Sequence, residues 1–194
     1  MAIAPIAYAT AAEYRSVIGK SDEAQDTDIN QDLQAISRHI DGKLGRFFGK
    51  DEENTARIYT IAEASPYIWI DDLSESPESI QVDTNGDGTF ETTVEPGDYN
   101  LLPLNADKGP EARPWTRVEL SFPGQRVEIT GKWGWPAVPA AIKRATIHLT
   151  AILRLETPRA TRRIAELGES IEASPDAQSI IRQLTDAYKR YRYI

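Results

Sequence analysis

The chain contains no cysteine among its 194 residues. Disulfide bonds, thiolate metal sites and cysteine nucleophiles are therefore excluded, and the composition fits folding in a reducing cytosol. Histidine is also scarce, because only His39 and His148 are present, and neither has a partner at a spacing typical of metal ligands. No apolar run approaches the roughly 20 residues that a membrane span requires, so we expect no membrane partner.

Sequence motifs of enzymes are missing as well. The chain has no phosphate-binding glycine loop, no nucleophile elbow and no pattern that indicates a catalytic triad. The neighbouring carboxylates of Asp71 and Asp72 are explained by charge at the end of a strand. Residues 1–5 have neither a cationic start nor a long apolar core, so no signal peptide is expected. We predict a protein that is not an enzyme and needs no cofactor.

The residues that are present indicate a folded chain with unevenly placed charge. Hydrophobic residues make up 40% of the sequence, and the length suits one domain, with or without a sizeable insertion. Residues 1–140 hold 12 Lys/Arg against 24 Asp/Glu, and residues 141–194 hold 10 against 6, which together give the net charge of −8. This asymmetry favours docking of unlike surfaces over nucleic-acid binding. The alternative is that the basic end is simply a solvated helix face.

Helical signals lie at both ends of the chain. Thr10 and Glu13 form a predicted capping box, and Gly19 a predicted helix stop. Apolar residues spaced by three and four then predict an amphipathic helix: Ile29, Leu33, Ile36, Ile40, Leu44 and Phe47. Gly42 and Gly45 lie three residues apart, which suggests close approach of another helix. Pro139 is placed as the first residue of an apolar helix that ends at Glu156, and a last helix is expected after Ser174.

Between residues 57 and 133 the apolar period changes to that of strands. Short β-prone runs are separated by turn residues, which predicts a small antiparallel sheet or sandwich: Arg57–Ile61, Tyr67–Ile70, Ser79–Asp83, Phe90–Val94, Tyr99–Leu102, Arg117–Phe122 and Gln125–Thr130. The predicted fold class is therefore α+β, a small helical bundle from the N- and C-terminal segments with an inserted antiparallel β domain. The expected divisions are 1–56, 57–133 and 134–194, the last being the C-terminal helices and basic tail.

The segment from Asp83 to Gly88 matches the start of a calcium-binding loop. Asp83, Asn85 and Asp87 place oxygens at positions 1, 3 and 5, and glycine stands at position 6. Position 12, however, is Val94 where such loops have a bidentate glutamate, and the flanks are strand-like. Asn-Gly and Asp-Gly are also the residues that tight hairpin turns prefer. We favour the hairpin and keep calcium as a weak candidate.

The four tryptophans allow two interpretations. They can fill a small β core, because each ring buries a large area, or they can form an exposed aromatic set that binds sugar or a protein. We expect Trp69 and Trp133 to be core residues and leave Trp135 open. The alternative function is a calcium-stabilised β-type binding module for carbohydrate or cell-wall polymer, which requires an exposed Trp115 or Trp135.

Three passages together resemble a known family. The helix end Ser37–Phe48 is similar to the family's early helix, which closes with a Gly-Arg-x-Phe element. The segment from Ile80 to Pro103 resembles its β insertion, and Val127 to Leu155 resembles its return strand and helix with a Thr-Gly-x-x-Gly-x-Pro passage. This family comprises the head-to-tail connector (head-completion adaptor) proteins of tailed bacteriophages and gene-transfer-agent particles.

The resemblance implies a structural, non-enzymatic subunit. Such proteins assemble with neighbouring copies into a ring of about twelve below the portal protein, through one surface that meets a different one. The ring extends the DNA channel, and DNA passes through its lumen without sequence-specific binding. It also provides a platform for the next connector or tail-completion protein. The implied location is the head-tail interface of the virion, after synthesis in the cytoplasm of the bacterial host.

The C-terminal run of tyrosines and cations at residues 188–194 supports stacking on nucleic acid or, equally, an interface anchor. The acidic balance of the whole chain favours the interface, and we predict that this tail docks onto the portal. The candidates for contact with the portal or a neighbouring copy are Arg46, Phe47, Trp135, Tyr188, Lys189, Arg190, Tyr191, Arg192 and Tyr193.

Overall fold

The structure is a computed structural model that describes residues 6–61, 65–108, 112–120, 126–154, 182–183 and 185–189. The chain divides into two compact units. A helical unit comprises Met1–Phe48 and Val138–Ile194, and a β unit comprises Gly49–Ala137. Within the described residues there are three α-helices and two antiparallel sheets. The predicted α+β class is confirmed.

The first helix of the helical unit, α1 (Ala11–Ile18), is fixed by its caps. The Glu13 amide donates to the Thr10 hydroxyl at 3.2 Å, and the Thr10 amide donates to the Glu13 carboxylate at 2.9 Å. Gly19 ends the helix in the left-handed conformation with φ of 78°. The predicted capping box and the predicted stop are both confirmed.

The second helix, α2 (Asp26–Leu44), buries the apolar stripe that the sequence predicts, including Ile29, Leu33 and Ile40. Among the described residues, the prediction for its glycines is wrong. A Cβ added at Gly42 meets none of them within 4 Å, so no described helix approaches closely there. Gly45 lies beyond the helix, where its φ of 65° provides the left-handed cap that terminates α2.

The third helix, α3 (Ala140–Leu153), packs on the first two. Pro139 is its cap rather than its first residue, because its ψ of 142° is extended while its carbonyl accepts the bond from the Lys143 amide. Ion pairs of 2.7 Å join Lys143 to Glu13 and Arg154 to Asp32. The three helices share one core cluster: Ala9, Ala11, Tyr14, Ile29, Leu33, Ile147 and Ala151. The predicted end at Glu156 and the expected start after Ser174 lie outside the described residues.

In the part of the β unit that the structure describes, seven strands form two sheets. Their bounds are β1 (Thr55–Thr60), β2 (Tyr67–Leu73), β3 (Ser79–Asp83), β4 (Thr92–Thr93), β5 (Tyr99–Leu102), β6 (Trp115–Leu120) and β7 (Arg126–Gly131). The four-stranded sheet has the order β1-β7-β3-β4, and the three-stranded sheet has the order β2-β6-β5. All pairs formed by these strands are antiparallel.

Both sheets contribute alternate residues to one apolar core. Ile68 and Val118 come from the three-stranded sheet, and Ile80 and Ile129 are directly paired in the four-stranded one. Each is at most 3% exposed. Burial of a side chain of this size stabilises a fold by roughly 1.5–3 kcal/mol, so this shared core is the main reason that the two sheets fold as one unit.

The stretch after β7 is hydrogen-bonded to the first residue of the β unit and to β2. Gly134 donates its amide to the Asp72 carbonyl at 2.7 Å, and the Trp135 amide donates to the Gly49 carbonyl at 2.8 Å. Gly134 has φ of 111°, and a Cβ there would lie 1.9 Å from the Gly49 oxygen. Only glycine fits this position. No helix formed by the described residues is long and apolar enough to cross a membrane.

Candidate functional site

Several predicted interface residues lie near a polar cluster at the end of α2. The Tyr8 hydroxyl donates to the Asp41 carboxylate at 2.5 Å and accepts from the Phe48 amide at 2.8 Å. The Arg38 guanidinium lies over both aromatic neighbours, 5.3 Å from the Tyr8 ring centroid and 5.2 Å from that of Phe47. This cluster ties the segment before α1 to the segment after α2.

Burial sets the protonation of this cluster. It raises the pKa of the Tyr8 hydroxyl, and the hydrogen bond to Asp41 adds to that rise. Burial also raises the pKa of the Asp41 carboxyl, although the Tyr8 hydroxyl and the Arg38 charge oppose it. Tyr8 therefore stays protonated at neutral pH and acts as a hydrogen-bond donor, which is a structural role.

The structure describes four of the predicted contact residues in the helical unit. Arg46, Phe47 and Tyr188 are half-buried, and Lys189 is exposed. Tyr188 lies in a short 3-10 turn, Asp186–Tyr188, and packs edge-on against Phe48 with ring centroids 5.9 Å apart. The first residue of the predicted tail therefore contacts the residue next to Phe47. The remaining candidates lie outside the described residues: Arg190, Tyr191, Arg192 and Tyr193.

Trp135 has an internal role in the structure. It is 3% exposed, and its indole nitrogen donates to the buried Asp72 carboxylate at 3.2 Å. Its ring therefore offers little surface to a neighbouring protein in the isolated chain. Trp115 is also buried, at 9% exposure. Neither residue provides the exposed aromatic ring that the carbohydrate-binding alternative requires.

The two tryptophans expected in the core differ in their exposure to solvent. Trp133 is 1% exposed, and its indole nitrogen donates to the Thr55 carbonyl at 2.8 Å, so that prediction is confirmed. Trp69 is 62% exposed, and the prediction for it is wrong. It lies on β2 between the buried Ile68 and Ile70 and therefore points to the opposite face. The alternation of aromatic and aliphatic residues in Tyr67–Ile70 was the signal that could have revealed this.

Trp69 is part of an exposed surface that we call the outer aromatic face. It is formed by Tyr67, Trp69, Asn100, Arg117 and Glu119 on the three-stranded sheet. Trp69 pairs across the strands with Arg117, and Tyr67 pairs with Glu119, which in turn pairs with Asn100. The Arg117 guanidinium lies 4.9 Å from the Trp69 ring centroid and 5.9 Å from that of Tyr67. Sequence reasoning did not single out Arg117, because only pairing of the strands brings it to Trp69.

The loop after Asp83 connects a hairpin, as favoured from the sequence. Strands β3 and β4 are antiparallel neighbours, joined by residues 84–91 rather than by a two-residue turn. The fully buried Asp83 carboxylate accepts the amides of Gly86 at 2.6 Å and Gly88 at 3.0 Å. Both glycines have positive φ, of 81° and 91°. Asp83 thus holds the loop through backbone hydrogen bonds.

The same loop brings carboxylates together. Ligand atoms of Asp83, Asp87 and Glu91 lie within 4.8 Å of one another. Asp87 and Glu91 are bonded within the loop: the Thr89 amide lowers the pKa of Asp87, and the Thr84 hydroxyl lowers that of Glu91. Asp83 also pairs with Arg126 on β7 at 3.7 Å. Asn85 also bonds to Asp87, with its oxygen 2.8 Å from the Asp87 amide. Calcium here stays a prediction, and calorimetric titration with millimolar calcium is the direct measurement.

Comparison with known proteins identifies the fold. No protein-family model and no curated protein matches the chain. Among solved structures it is similar to a chain from the neck of an empty gene transfer agent (GTA) particle, determined with C6 symmetry. The TM-score is 0.58 at 20% identity, covering 100% of this chain and 95% of that one. A chain from the neck of the native particle, with C12 symmetry, gives 0.56 at 20% identity, covering 100% and 94%.

A third similar chain comes from the virion of the native gene transfer agent particle, with a TM-score of 0.51 at 20% identity and coverage of 100% and 95%. The likeness therefore extends over the whole chain and includes both the helical unit and the β unit. At this level of identity it establishes a shared fold.

Proposed function

We propose that the chain is a structural subunit of the neck of a phage-like or gene-transfer-agent particle, where it acts as a head-to-tail connector. One observation carries the proposal: the whole chain matches neck chains of such particles, with 100% coverage and a TM-score of 0.58. The connector-like passages around Phe48, Asp83 and Gly131 point the same way. The role is one of assembly and requires no catalysis.

Ring formation fits the charge of the two units. In sequence, the β unit carries 7 Lys/Arg against 17 Asp/Glu, a balance of −10, and the rest of the chain carries 15 against 13, a balance of +2. A closed ring joins one surface to a different surface of the next copy. Opposite charges on the two units favour such a contact, and the C6 and C12 symmetry of the similar neck structures supports it.

The proposed ring lies below the portal protein and extends the DNA channel. An acidic β unit repels phosphate, so DNA would pass without sequence-specific binding. The predicted tail at residues 188–194 would contact the portal, and another face would receive the next connector or tail-completion protein. In this proposal the subunit is made in the cytoplasm of the bacterial host and resides at the head-tail interface of the virion.

Electron microscopy of the chain mixed with the portal protein of its own particle tests the proposal. We expect a ring of this chain on the portal, and we expect deletion of residues 188–194 to abolish binding while the circular dichroism spectrum is preserved. A portal that remains bare with the full-length chain would overturn the connector role. Undiminished binding after the deletion would overturn only the assignment of the tail.

A further inference from the structure

We propose that the outer aromatic face of the β unit is a docking surface for a second copy of this chain, with Trp69 and Arg117 as its principal contacts. This inference rests on the proposed function for the identity of the partner. It goes beyond that function because it assigns the contact between copies to particular residues, none of which the sequence predicted as an interface.

The first support is that the aromatic rings of this face are exposed to solvent and are also held in place by a neighbouring side chain. Trp69 is 62% and Tyr67 is 40% exposed, yet both rings are held by the same guanidinium. Side chains that are already fixed lose little conformational freedom on binding. Tryptophan, tyrosine and arginine are also the residue types that contribute most to protein interfaces. A protein partner can therefore bind this surface without rearranging its side chains.

The second support is the state of the Arg117 charge. Among the residues that the structure describes, Arg117 forms no ion pair, whereas Arg57 on the same unit pairs with Asp71 at 2.9 Å. The hydrogen-bond donors of Arg117 can thus receive a carboxylate from outside. A second copy supplies such groups, because the chain holds 30 Asp/Glu against 22 Lys/Arg. The occupant we assign is therefore a surface of the next copy that presents a carboxylate to Arg117.

Other occupants fit less well. A sugar stacks on the face of an aromatic ring, and the Arg117 guanidinium already covers one face of Trp69 at 4.9 Å. A nucleic acid would bring a row of phosphates, where Arg117 can pair with a single carboxylate, to a unit with a balance of −10, and the net charge of that unit repels a polyanion. A neighbouring copy is the partner that can both pack on the aromatic rings and supply a carboxylate to the Arg117 guanidinium.

Sedimentation velocity of the full-length chain over a concentration series up to about 1 mM tests the proposal, since that limit detects even weak association. We expect reversible self-association that W69A and R117A each weaken about tenfold or more. Ile58→Ala is the matched control, because Ile58 is 55% exposed on the other sheet, and it should leave the association unchanged. A wild-type chain that stays monomeric throughout, or association that W69A and R117A leave intact, would overturn the inference.

Photo-crosslinking identifies the occupant directly. Benzoylphenylalanine in place of Tyr67 should produce crosslinked dimers whose second peptide is a segment of this chain that contains Asp or Glu, while the same group at Ile58 should not. Equal crosslinking at both positions would contradict the proposal. Quenching of tryptophan fluorescence by cellohexaose or chitohexaose that is lost in Trp69→Phe would instead identify a sugar surface and also overturn it.

The same variants separate this inference from the proposed function. If W69A and R117A still form rings of normal size on the portal, the docking surface is refuted and the connector role stands. If the chain associates through Trp69 but never binds the portal, the docking surface stands and the connector role is refuted.

Discussion

The β unit contains two arginine–tryptophan stacks that differ in one respect. In the first, the Arg57 guanidinium lies 4.5 Å from the Trp133 ring centroid, and that ring is 1% exposed. In the second, the Arg117 guanidinium lies 4.9 Å from the Trp69 ring centroid, and that ring is 62% exposed. The geometry of the two contacts is similar, but their surroundings are not.

The stack on the buried Trp133 ring is completed by carboxylates from its own chain. Asp71 lies 2.9 Å and the buried Asp51 lies 3.8 Å from the Arg57 guanidinium, and the Tyr59 hydroxyl donates to Asp71 at 3.2 Å. The open stack has the aromatic rings but not the counter-charges within the described residues. The difference teaches that an arginine–tryptophan stack stabilises the fold where the same chain supplies carboxylates to the arginine. Where the chain supplies no carboxylate, the arginine is available to a partner.

Replacing the two tryptophans should therefore give very different losses of stability. Trp133→Ala removes a ring that is 1% exposed together with its bond to the Thr55 carbonyl, and it should lower the free energy of unfolding by about 3–5 kcal/mol. Trp69→Ala should change it by less than about 1 kcal/mol. Urea denaturation followed by circular dichroism measures both, and losses of similar size would show that the stacks do not differ as described.

Local signals in the sequence predicted much of the helical unit. The capping box at Thr10 and the stop at Gly19 depend on residues a few positions apart, so no tertiary information was needed. Strands β3 and β5 also have the predicted bounds, because turn residues flank each of them. The prediction for Gly42 failed because close approach depends on where another helix lies, which spacing alone does not determine.

The candidate site was harder to predict for the same physical reason. The burial of a tryptophan on a strand depends on which face the second sheet covers, so Trp69 and Trp133 could not be told apart by residue type. The partnership of Trp69 with Arg117 joins residues 48 positions apart in sequence through the β2–β6 register. A surface that another molecule completes is even harder to predict from the sequence of one chain.

The arginines provide the next test of the comparison. Arg57→Ala leaves the buried Asp51 carboxylate without its cation, and an orphaned buried charge costs about 1–3 kcal/mol or more. Arg117→Ala orphans no carboxylate among the described residues and should cost less than about 0.5 kcal/mol. The measurement is again urea denaturation, carried out on dilute protein so that association does not contribute. An Arg117→Ala loss equal to that of Arg57→Ala would mean that the outer stack also serves stability.

The smallest effect is expected in the fluorescence of the free chain. Because Trp115, Trp133 and Trp135 are buried and Trp69 is 62% exposed, acrylamide should quench one accessible component, and Trp69→Phe should remove it while leaving the midpoint of unfolding nearly unchanged. Trp133→Phe is the matched control and should preserve the accessible component. At high protein concentration the wild-type component should become protected, since a second copy would cover the outer aromatic face. Protection that persists in Arg117→Ala would show that the ring is covered without help from the guanidinium, and the two stacks would then differ only in burial and not in how their charge is used.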